Sequence, residues 1–189
     1  MQEYFVVEYS GMFGFIKPWT AVRDEKTFSQ QFLTPSILEG IRIKLGVSAI
    51  VRHKLMHAGT SLQQERTQSR AFLEKRKGAY KEATRTLSII TRGVMLYPHL
   101  WLAFPTQEDA ELAAEQHICL SRNEDVLLPS PSIITVTEEG FDQMPGFELL
   151  FGKTPTSILV GHNRYEENMP MYGEIKITGN PILDLSLEL

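Results

Sequence analysis

Residues 52–92 of the 189-residue chain read RHKLMHAGTSLQQERTQSRAFLEKRKGAYKEATRTLSIITR, and this stretch is strongly basic. It holds 10 of the 19 Lys and Arg residues of the chain against three acidic residues, which gives it a formal charge of +7. The rest of the chain holds 9 basic and 20 acidic residues and carries −11. A basic segment on an acidic body indicates a polyanionic partner or an acidic protein face. A charged, solvated helix or loop is the plain alternative.

Within this stretch, residues 60–85 contain few apolar side chains and show no clean strand or helix pattern. A long, polar, positively charged segment between strands is typical of a binding loop or hairpin. Strands are predicted on both sides of it, over residues 47–57 and over residues 86–104. The second of these segments is predicted to be a pair of strands with a break at Arg92-Gly93.

The segments before and after this region predict an alternation of strands and helices. Residues 3–9 are rich in aromatic and β-branched side chains and predict a first strand. A first helix is predicted from Pro35, with Thr34 as its N-cap and Gly46 as its end. A second helix is predicted after Thr106, which is followed by acidic residues that favour a helix N-terminus.

The C-terminal third is predicted to be mostly strand. A strand follows the polar turn at residues 121–125, residues 138–145 are predicted to be a loop, and residues 155–161 and 172–178 are predicted to form a hairpin. The resulting order β, α, β, β, α, β predicts an α+β fold built on a ferredoxin-like or RRM-like split βαβ unit. The aromatic signature of the RNA-recognition motif is absent from the sequence.

Two domains are predicted from this order. Residues 1–136 form the RRM-like domain, with residues 59–85 as its insertion, and residues 137–189 form a β-rich C-terminal extension.

The composition limits the class of protein. Apolar residues make up 42% and charged residues 22% of the chain, values typical of a globular protein with a core of its own. The single cysteine, Cys119, excludes an internal disulfide and indicates a reducing compartment. The chain shows no leader pattern and no apolar run near the about 18–20 residues of a membrane span, so a cytoplasmic location without membrane attachment is expected.

Three short motifs, in this order, resemble one protein family. They are SGMFGFIKPW (residues 10–19) after the first strand, TFSQQFLTPSILEGI (residues 27–41) at the first helix, and the turn LSRNEDV (residues 120–126). These motifs are similar to those of the Cas-five family, the fifth of the CRISPR-associated (Cas) protein families. The resemblance covers about residues 3–136, and the chain has Ser121 where the family has Gly.

This resemblance implies a RAMP-type, RRM-like fold with a protruding thumb hairpin, for which residues 59–85 are the candidate. Members of the family are subunits of type I Cascade surveillance complexes, which are ribonucleoprotein complexes of antiviral defence. They cap the 5′ handle of the CRISPR RNA and contact the backbone subunit and the large subunit. Target DNA within the complex is a further partner to consider.

The resemblance also bears on catalysis. Most members of the family are not nucleases, whereas one subtype cuts RNA with a tyrosine, a lysine and a histidine. In this chain the corresponding residues 117–126 (HICLSRNEDV) lack a Lys-His pair. The function predicted is therefore that of a non-catalytic CRISPR RNA-binding subunit of a Cascade-like complex.

His53 and His57 are the candidate catalytic residues if the chain does cut RNA. They lie four residues apart on a predicted strand, so they share one face. RNA cleavage needs a general base and a general acid, and the two imidazoles could supply both or form half of a metal site. No third ligand is spaced to complete a zinc site, so neither a metal nor another cofactor is expected. Ordinary histidines on a sheet face are the alternative interpretation.

The candidate RNA contacts are cations, which neutralise phosphates, and aromatic rings, which stack on unpaired bases. The predicted RNA-binding residues are Lys17, Trp19, Arg52, Lys54, Arg66, Arg70, Lys75, Arg76, Lys77, Arg85, Arg92 and Arg122. Trp19, Phe72 and Tyr80 are the candidate stacking platforms, although the last two could instead anchor the insertion. Arg122 could contact RNA or pair with the two acids that follow it.

Two other functions stay open at this point. One is a metal-independent endoribonuclease that processes CRISPR RNA on the same fold. The other is a protein adaptor that uses the basic segment to dock an acidic partner.

Overall fold

The computed structural model of the protein describes residues 3–20, 26–78 and 80–183. Within these ranges, the side chains of residues 69–73, 75, 77, 82 and 86 are outside the description. The fold is α+β, as predicted, with one large antiparallel sheet, a smaller second sheet and three helices in the described part of the chain. None of these helices is long and apolar enough to span a membrane.

The elements follow one another along the chain in the following order. They are β1 (Glu3–Ser10), β2 (Phe13–Gly14), β3 (Lys26–Phe28), α1 (Pro35–Leu45), β4 (Arg52–Met56), β5 (Gly59–Lys77), β6 (Tyr80–Leu96), β7 (His99–Phe104), α2 (Gln107–Ala114), β8 (Ile118–Cys119), β9 (Val126–Thr137), α3 (Glu138–Gln143), β10 (Gly146–Phe151), β11 (Ile158–Asn163) and β12 (Met169–Thr178).

The large sheet has the strand order β11-β12-β10-β4-β7-β1-β9-β8. Its centre consists of β4, β7, β1 and β9, which pair with one another in antiparallel fashion. Along the chain these four strands and helices α1 and α2 follow the predicted order β, α, β, β, α, β, which is consistent with a ferredoxin-like unit.

Strand β1 alternates between the two faces of the sheet, and each face has its own core. Val7 and Tyr9 belong to the main core, which also contains buried residues of α1 and α2. Tyr4 and Val6 belong to a smaller core on the other face, together with Phe141 of α3. The rings of Tyr4 and Phe141 meet edge to face at a centroid distance of 6.1 Å. The sheet is therefore covered by helices on both sides of its centre.

Helix α1 begins and ends where the sequence predicts. Thr34 occupies the N-cap position, although its side chain makes no capping hydrogen bond. Gly46 ends the helix with a φ of 72°, a left-handed conformation that glycine adopts at little cost. Leu38, Ile41 and Leu45 are buried and hold the helix against the sheet.

A buried carboxylate ties helix α2 to the segment that follows α1. Thr106 caps α2 as predicted and accepts a hydrogen bond from the N–H of Asp109 (3.2 Å). Asp109 accepts bonds from the N–H (2.8 Å) and the hydroxyl (2.5 Å) of Ser48. Burial raises the pKa of this carboxyl, but the bonds from Ser48 outweigh it and hold the pKa below its usual value. Ser48 lies in the predicted strand over residues 47–57, but the observed strand starts only at Arg52.

Residues 60–85 lie in a long two-stranded hairpin formed by β5 and β6. The strands pair from Gly59 opposite Leu96 to Lys77 opposite Tyr80, with a register shift between Gln68 and Phe72. Strand β6 also pairs with β2 and β3, but only near the base of the hairpin. The far end is open to solvent, and the side chain of Tyr80 is 82% exposed.

The break predicted at Arg92-Gly93 is wrong, because β6 runs through both residues. The chain turns at Tyr97 instead, which has a φ of 46°. Gly93 serves a tertiary contact: a Cβ at this position would lie 2.2 Å from Cδ1 of Phe28. Because glycine has no side chain, the ring of Phe28 in β3 can pack against Gly93, and the strand continues through this residue.

The C-terminal residues extend the large sheet by three strands. The predicted hairpin is confirmed as β11 and β12, and the unpredicted β10 joins it to β4. The loop predicted over residues 138–145 is wrong, because these residues contain α3. Thr137 caps that helix by accepting a bond from the N–H of Gly140 (3.1 Å), and two glutamates occupy the first turn. The division of the chain into two domains stays a prediction.

We expect Asp109→Ala to lower the free energy of unfolding by about 2 kcal/mol, because it removes two hydrogen bonds to a charged acceptor. Urea denaturation at neutral pH measures this change. The matched control is Glu108→Ala, an exposed position in the same helical turn, which should change stability by less than about 0.5 kcal/mol. Equal losses in the two variants would contradict the structural role of Asp109.

Candidate nucleic-acid interface

A cavity of about 480 Å³ lies where three distant segments of the chain meet. Lys17 comes from the segment after β2, Ser36 from the first turn of α1, and Ser121 from the turn after β8. Each of the three motifs that carry the family resemblance thus contributes to the lining of one cavity. This convergence in space makes the cavity the candidate site.

Hydrogen bonds to the main chain hold these segments in place. The N–H of Lys17 donates to the hydroxyl of Ser121 (2.9 Å), and the N–H of Ser121 donates to the carbonyl of Phe15 (3.0 Å). The N–H of Gln30 donates to the carbonyl of Ile16 (3.0 Å). Ser121, which stands where the resembling family has Gly, therefore supplies a hydroxyl that fixes the backbone of Lys17.

Three cations line the cavity, and no acidic side chain lines it among the residues that the structure describes. They are Lys17, Lys44 and Arg164. Lys44 donates to the carbonyl of His117 (2.7 Å), and Arg164 donates to the hydroxyl of Tyr165 (2.9 Å). Because these two partners are neutral, they do not cancel the positive charges of Lys44 and Arg164. Such a concave, cationic surface favours an anion such as phosphate.

Two predicted RNA contacts, Arg92 and Arg122, flank the buried ring of Phe15. Their guanidinium groups lie 5.1 Å and 5.7 Å from the ring centroid. Arg92 is ion-paired with Glu65 (2.6 Å), and Arg122 is ion-paired with Asp125 (2.5 Å). The bond to Asp125 raises the pKa of Arg122 above its usual value. Arg122 is therefore paired with the acidic residues that follow it, which was the alternative to RNA contact.

Arg52 and Lys54, also predicted RNA contacts, connect β4 to α3 and β10. Arg52 donates to Glu148 (2.6 Å) and to Asp142 (2.7 Å). Lys54 is fully buried and donates to the carbonyls of Asp142 and Met144. Both positive charges are used inside the fold, which favours a structural role for these two residues.

His53 and His57 point to one face of β4, where they stack on aromatic rings of β10. Nε2 of His53 accepts bonds from the N–H groups of Leu33 (3.2 Å) and Leu149 (3.4 Å), and burial lowers the pKa of His53 to about 3. Nδ1 of His57 accepts from the N–H of Gly59 (3.1 Å), and burial lowers the pKa of His57 as well. Two buried imidazoles that accept backbone hydrogen bonds favour a structural interpretation over an acid–base pair.

The other predicted contacts lie on the hairpin or beside the cavity. Arg66, Arg76 and Arg85 have exposed side chains on the hairpin, and Trp19 is 49% exposed. The side chains of Arg70, Phe72, Lys75 and Lys77 fall outside the description. Across the described ranges, no group of three or more His, Cys, Asp or Glu residues is placed to hold a metal ion. RNA binding by the predicted residues stays a prediction.

Lys17 is the one predicted RNA contact among the described residues that line the cavity, and Lys44, Arg164 and Tyr165 are among those that were not predicted. Lys44 lies two turns after Ser36, and Gly40 lies between them, so the i, i+4 spacing on α1 could have revealed it. Arg164 and Tyr165 belong to the connection between β11 and β12. Their position depends on how the C-terminal strands join the sheet, which no local pattern indicates.

Comparison with known proteins gives a likeness of structure alone. No protein-family model and no curated protein matches the sequence. A chain of the solved structure titled "CRISPR RNA-guided surveillance complex" is similar with a TM-score of 0.54, over 95% of this chain and 90% of that chain, at 11% sequence identity. At this identity the likeness shows the fold: the protein is folded like a chain of that complex.

We expect Arg52→Gln to lower the free energy of unfolding by about 3 kcal/mol, because it leaves the buried carboxylate of Glu148 without its guanidinium partner. Lys17→Gln, at an exposed position, is the control and should change stability by less than about 0.5 kcal/mol. Urea denaturation compares the two. If Arg52→Gln kept full stability and lost RNA binding, Arg52 would be a contact and not part of the framework.

We expect Lys54 to make the free energy of unfolding depend on pH. Burial, opposed by the charge of Glu148, lowers the pKa of Lys54 to about 8, whereas an unfolded lysine releases its proton near about pH 10.4. Between these values the unfolded chain binds one more proton than the folded chain, so the contribution of Lys54 to stability rises with pH.

Urea denaturation from about pH 7 to about pH 10 should therefore show wild type gaining stability relative to Lys54→Met, by at most about 1.4 kcal/mol per pH unit. Lys153→Met, at an exposed position, supplies the baseline. A difference between wild type and Lys54→Met that does not change with pH would contradict the lowered pKa.

Proposed function

We propose that the protein is a non-catalytic RNA-binding subunit of a type I Cascade-like CRISPR surveillance complex, and that the cavity beside Lys17 holds the 5′ handle of the CRISPR RNA. The observation that carries this proposal is that the three motifs resembling the Cas-five family meet at one cationic cavity. The likeness to a chain of a CRISPR RNA-guided surveillance complex supports the same setting. The order of the central elements agrees with the RAMP-type, RRM-like fold of that family.

The chemistry of the cavity suits an RNA backbone. Its ammonium and guanidinium groups can neutralise phosphates, and the hydroxyls of Ser36, Ser121 and Tyr165 can bond to phosphate or sugar oxygens. A concave surface with three cations can contact several phosphates of one strand at once.

In this proposal the hairpin is the thumb. Arg66 and Arg76 are exposed along it, and Tyr80 lies exposed near its far end. Leu87 and Ile89 expose more than half of their surface on the same hairpin, which suits contact with a protein. The proposed partners of the subunit are therefore the CRISPR RNA, the backbone subunit and the large subunit, with target DNA reached within the assembled complex.

The proposed role is binding rather than catalysis, in the cytoplasm. It is supported by the use of His53 and His57 as acceptors of backbone hydrogen bonds inside the fold. The cationic cavity also favours RNA over the adaptor alternative, because a protein docking surface for an acidic partner does not require a concave shape.

The experiment is a salt titration of RNA binding by the full chain, with a single-stranded octaribonucleotide as probe. We expect the triple variant Lys17→Gln, Lys44→Gln and Arg164→Gln to bind more weakly. The plot of log K against log salt has a negative slope, and its magnitude should fall by about 2. Each phosphate contact on a single strand contributes about 0.7, and the variant loses three such contacts.

The matched control keeps all three charges: Lys17→Arg, Lys44→Arg and Arg164→Lys. It should retain most of the salt dependence of the wild type. If the uncharged triple variant bound RNA with the wild-type slope, the cavity would not be the RNA site. Co-purification of the chain with protein but no nucleic acid would favour the adaptor.

A further inference from the structure

A second, smaller cavity of about 140 Å³ adjoins the first. The two cavities share Lys17 and Ser36 in their linings. Trp19 and, from β11, Gly161 and His162 also line the smaller cavity. Since β11 lies outside the region of family resemblance, the smaller cavity is a feature of this chain that the resemblance does not address.

Two aromatic rings form a corner of this cavity. The rings of Trp19 and His162 meet edge to face, with centroids 5.7 Å apart and planes at 74°. About half of the surface of Trp19 is exposed, so part of its indole is available to another ring. Gly161 has a φ of 138°, and a Cβ there would lie 3.1 Å from Cε of Met171 and 3.4 Å from Cβ of Trp19. The glycine therefore allows Trp19 to lie close to β11.

The lining of the cavity also contains hydrogen-bond donors and acceptors. Gln30 contributes a side-chain amide, whose Nε2 donates one bond to the carbonyl of Phe32 (2.8 Å) and whose Oε1 is an acceptor, and Thr34 and Ser36 contribute hydroxyls. Thr34 is 5% exposed, makes no capping bond to α1, and has its hydroxyl 3.4 Å from that of Ser36. The edge of a nucleobase carries both donors and acceptors, and groups of this kind can pair with it.

We propose that the smaller cavity binds one unpaired nucleobase, stacked on Trp19 with its edge toward Gln30, Thr34 and Ser36. The phosphates that flank this base lie at Lys17 and the other cations of the larger cavity. This inference rests on the proposed function, and it adds a site for a single base to a surface that otherwise recognises only the backbone. It also gives β11 a role, because Gly161 and His162 complete the base pocket.

Aromatic stacking distinguishes this proposal from phosphate binding alone. The chain has two tryptophans, so in a Trp101→Phe variant the fluorescence reports Trp19 alone. The probes are octauridylate, octaadenylate and an abasic octamer with the same number of phosphates. We expect at least one base-containing octamer to quench Trp19, and the abasic octamer to bind with a similar salt dependence but without quenching.

Affinity gives a second measurement. We expect Trp19→Ala to lower the affinity for the octamer that quenches Trp19 about tenfold, which is typical for the loss of one base stack. The affinity for the abasic octamer should not change. Trp19→Phe keeps an aromatic face and should restore most of the affinity, which excludes misfolding as the cause. His162→Ala should lower the affinity for the same octamer and leave the affinity for the abasic octamer unchanged.

Different results would contradict the base pocket and the proposed function. Octamers that bind with normal salt dependence but leave the fluorescence of Trp19 and the affinity of Trp19→Ala unchanged would overturn the base pocket alone. If neither the octamers nor the abasic probe bound to the chain, the proposed function and the base pocket would both be wrong.

Discussion

Strand β1 is buried on both faces and paired along both edges, and this constraint places most of the other elements. Val6 and Val7 are fully buried on opposite faces, so α1 and α2 cover one side of the sheet and α3 the other. The chain that leaves β1 must pass close to β9: a Cβ on Gly11 would lie 2.4 Å from the carbonyl oxygen of Val126. That passage brings Lys17 against the turn after β8. The path of the chain out of this central strand thus brings together two of the segments that line the cationic cavity.

Elements with local signals could be predicted from the sequence, and elements fixed by distant contacts could not. Helix α1 was predicted to the residue because Pro35 and Gly46 determine its ends through backbone geometry. Helix α3 carried a comparable signal in Thr137 and the glutamates after it, although glycine within its short span obscured the pattern. The role of Gly93 could not be read locally, because Phe28, the ring it accommodates, lies 65 positions earlier in the sequence.

The charge count predicted a basic region but overstated the charge that a ligand meets. Arg52 and Lys54 belong to the basic stretch in sequence, yet one is paired with carboxylates and the other is buried against carbonyl groups. Conversely, Lys44 and Arg164 lie outside that stretch and line the cavity. A formal charge assigns every cation equal weight, whereas pairing and desolvation decide which cations remain available to a partner. The position of β10 beside β4 supplies Glu148 as a partner of Arg52, and the charge count contains no information about it.

The hairpin has a consequence for how the free protein behaves before it meets any partner. Strand β5 pairs with β6 alone among the described strands, so its outer edge presents unpaired N–H and C=O groups over a long distance. An edge of this kind recruits strands of other chains and leads to aggregation unless charged side chains oppose it. Exposed cations such as Arg66 and Arg76 supply that opposition by mutual repulsion between copies. The basic character of the hairpin thus opposes edge-to-edge pairing between copies of the chain, independently of any nucleic acid.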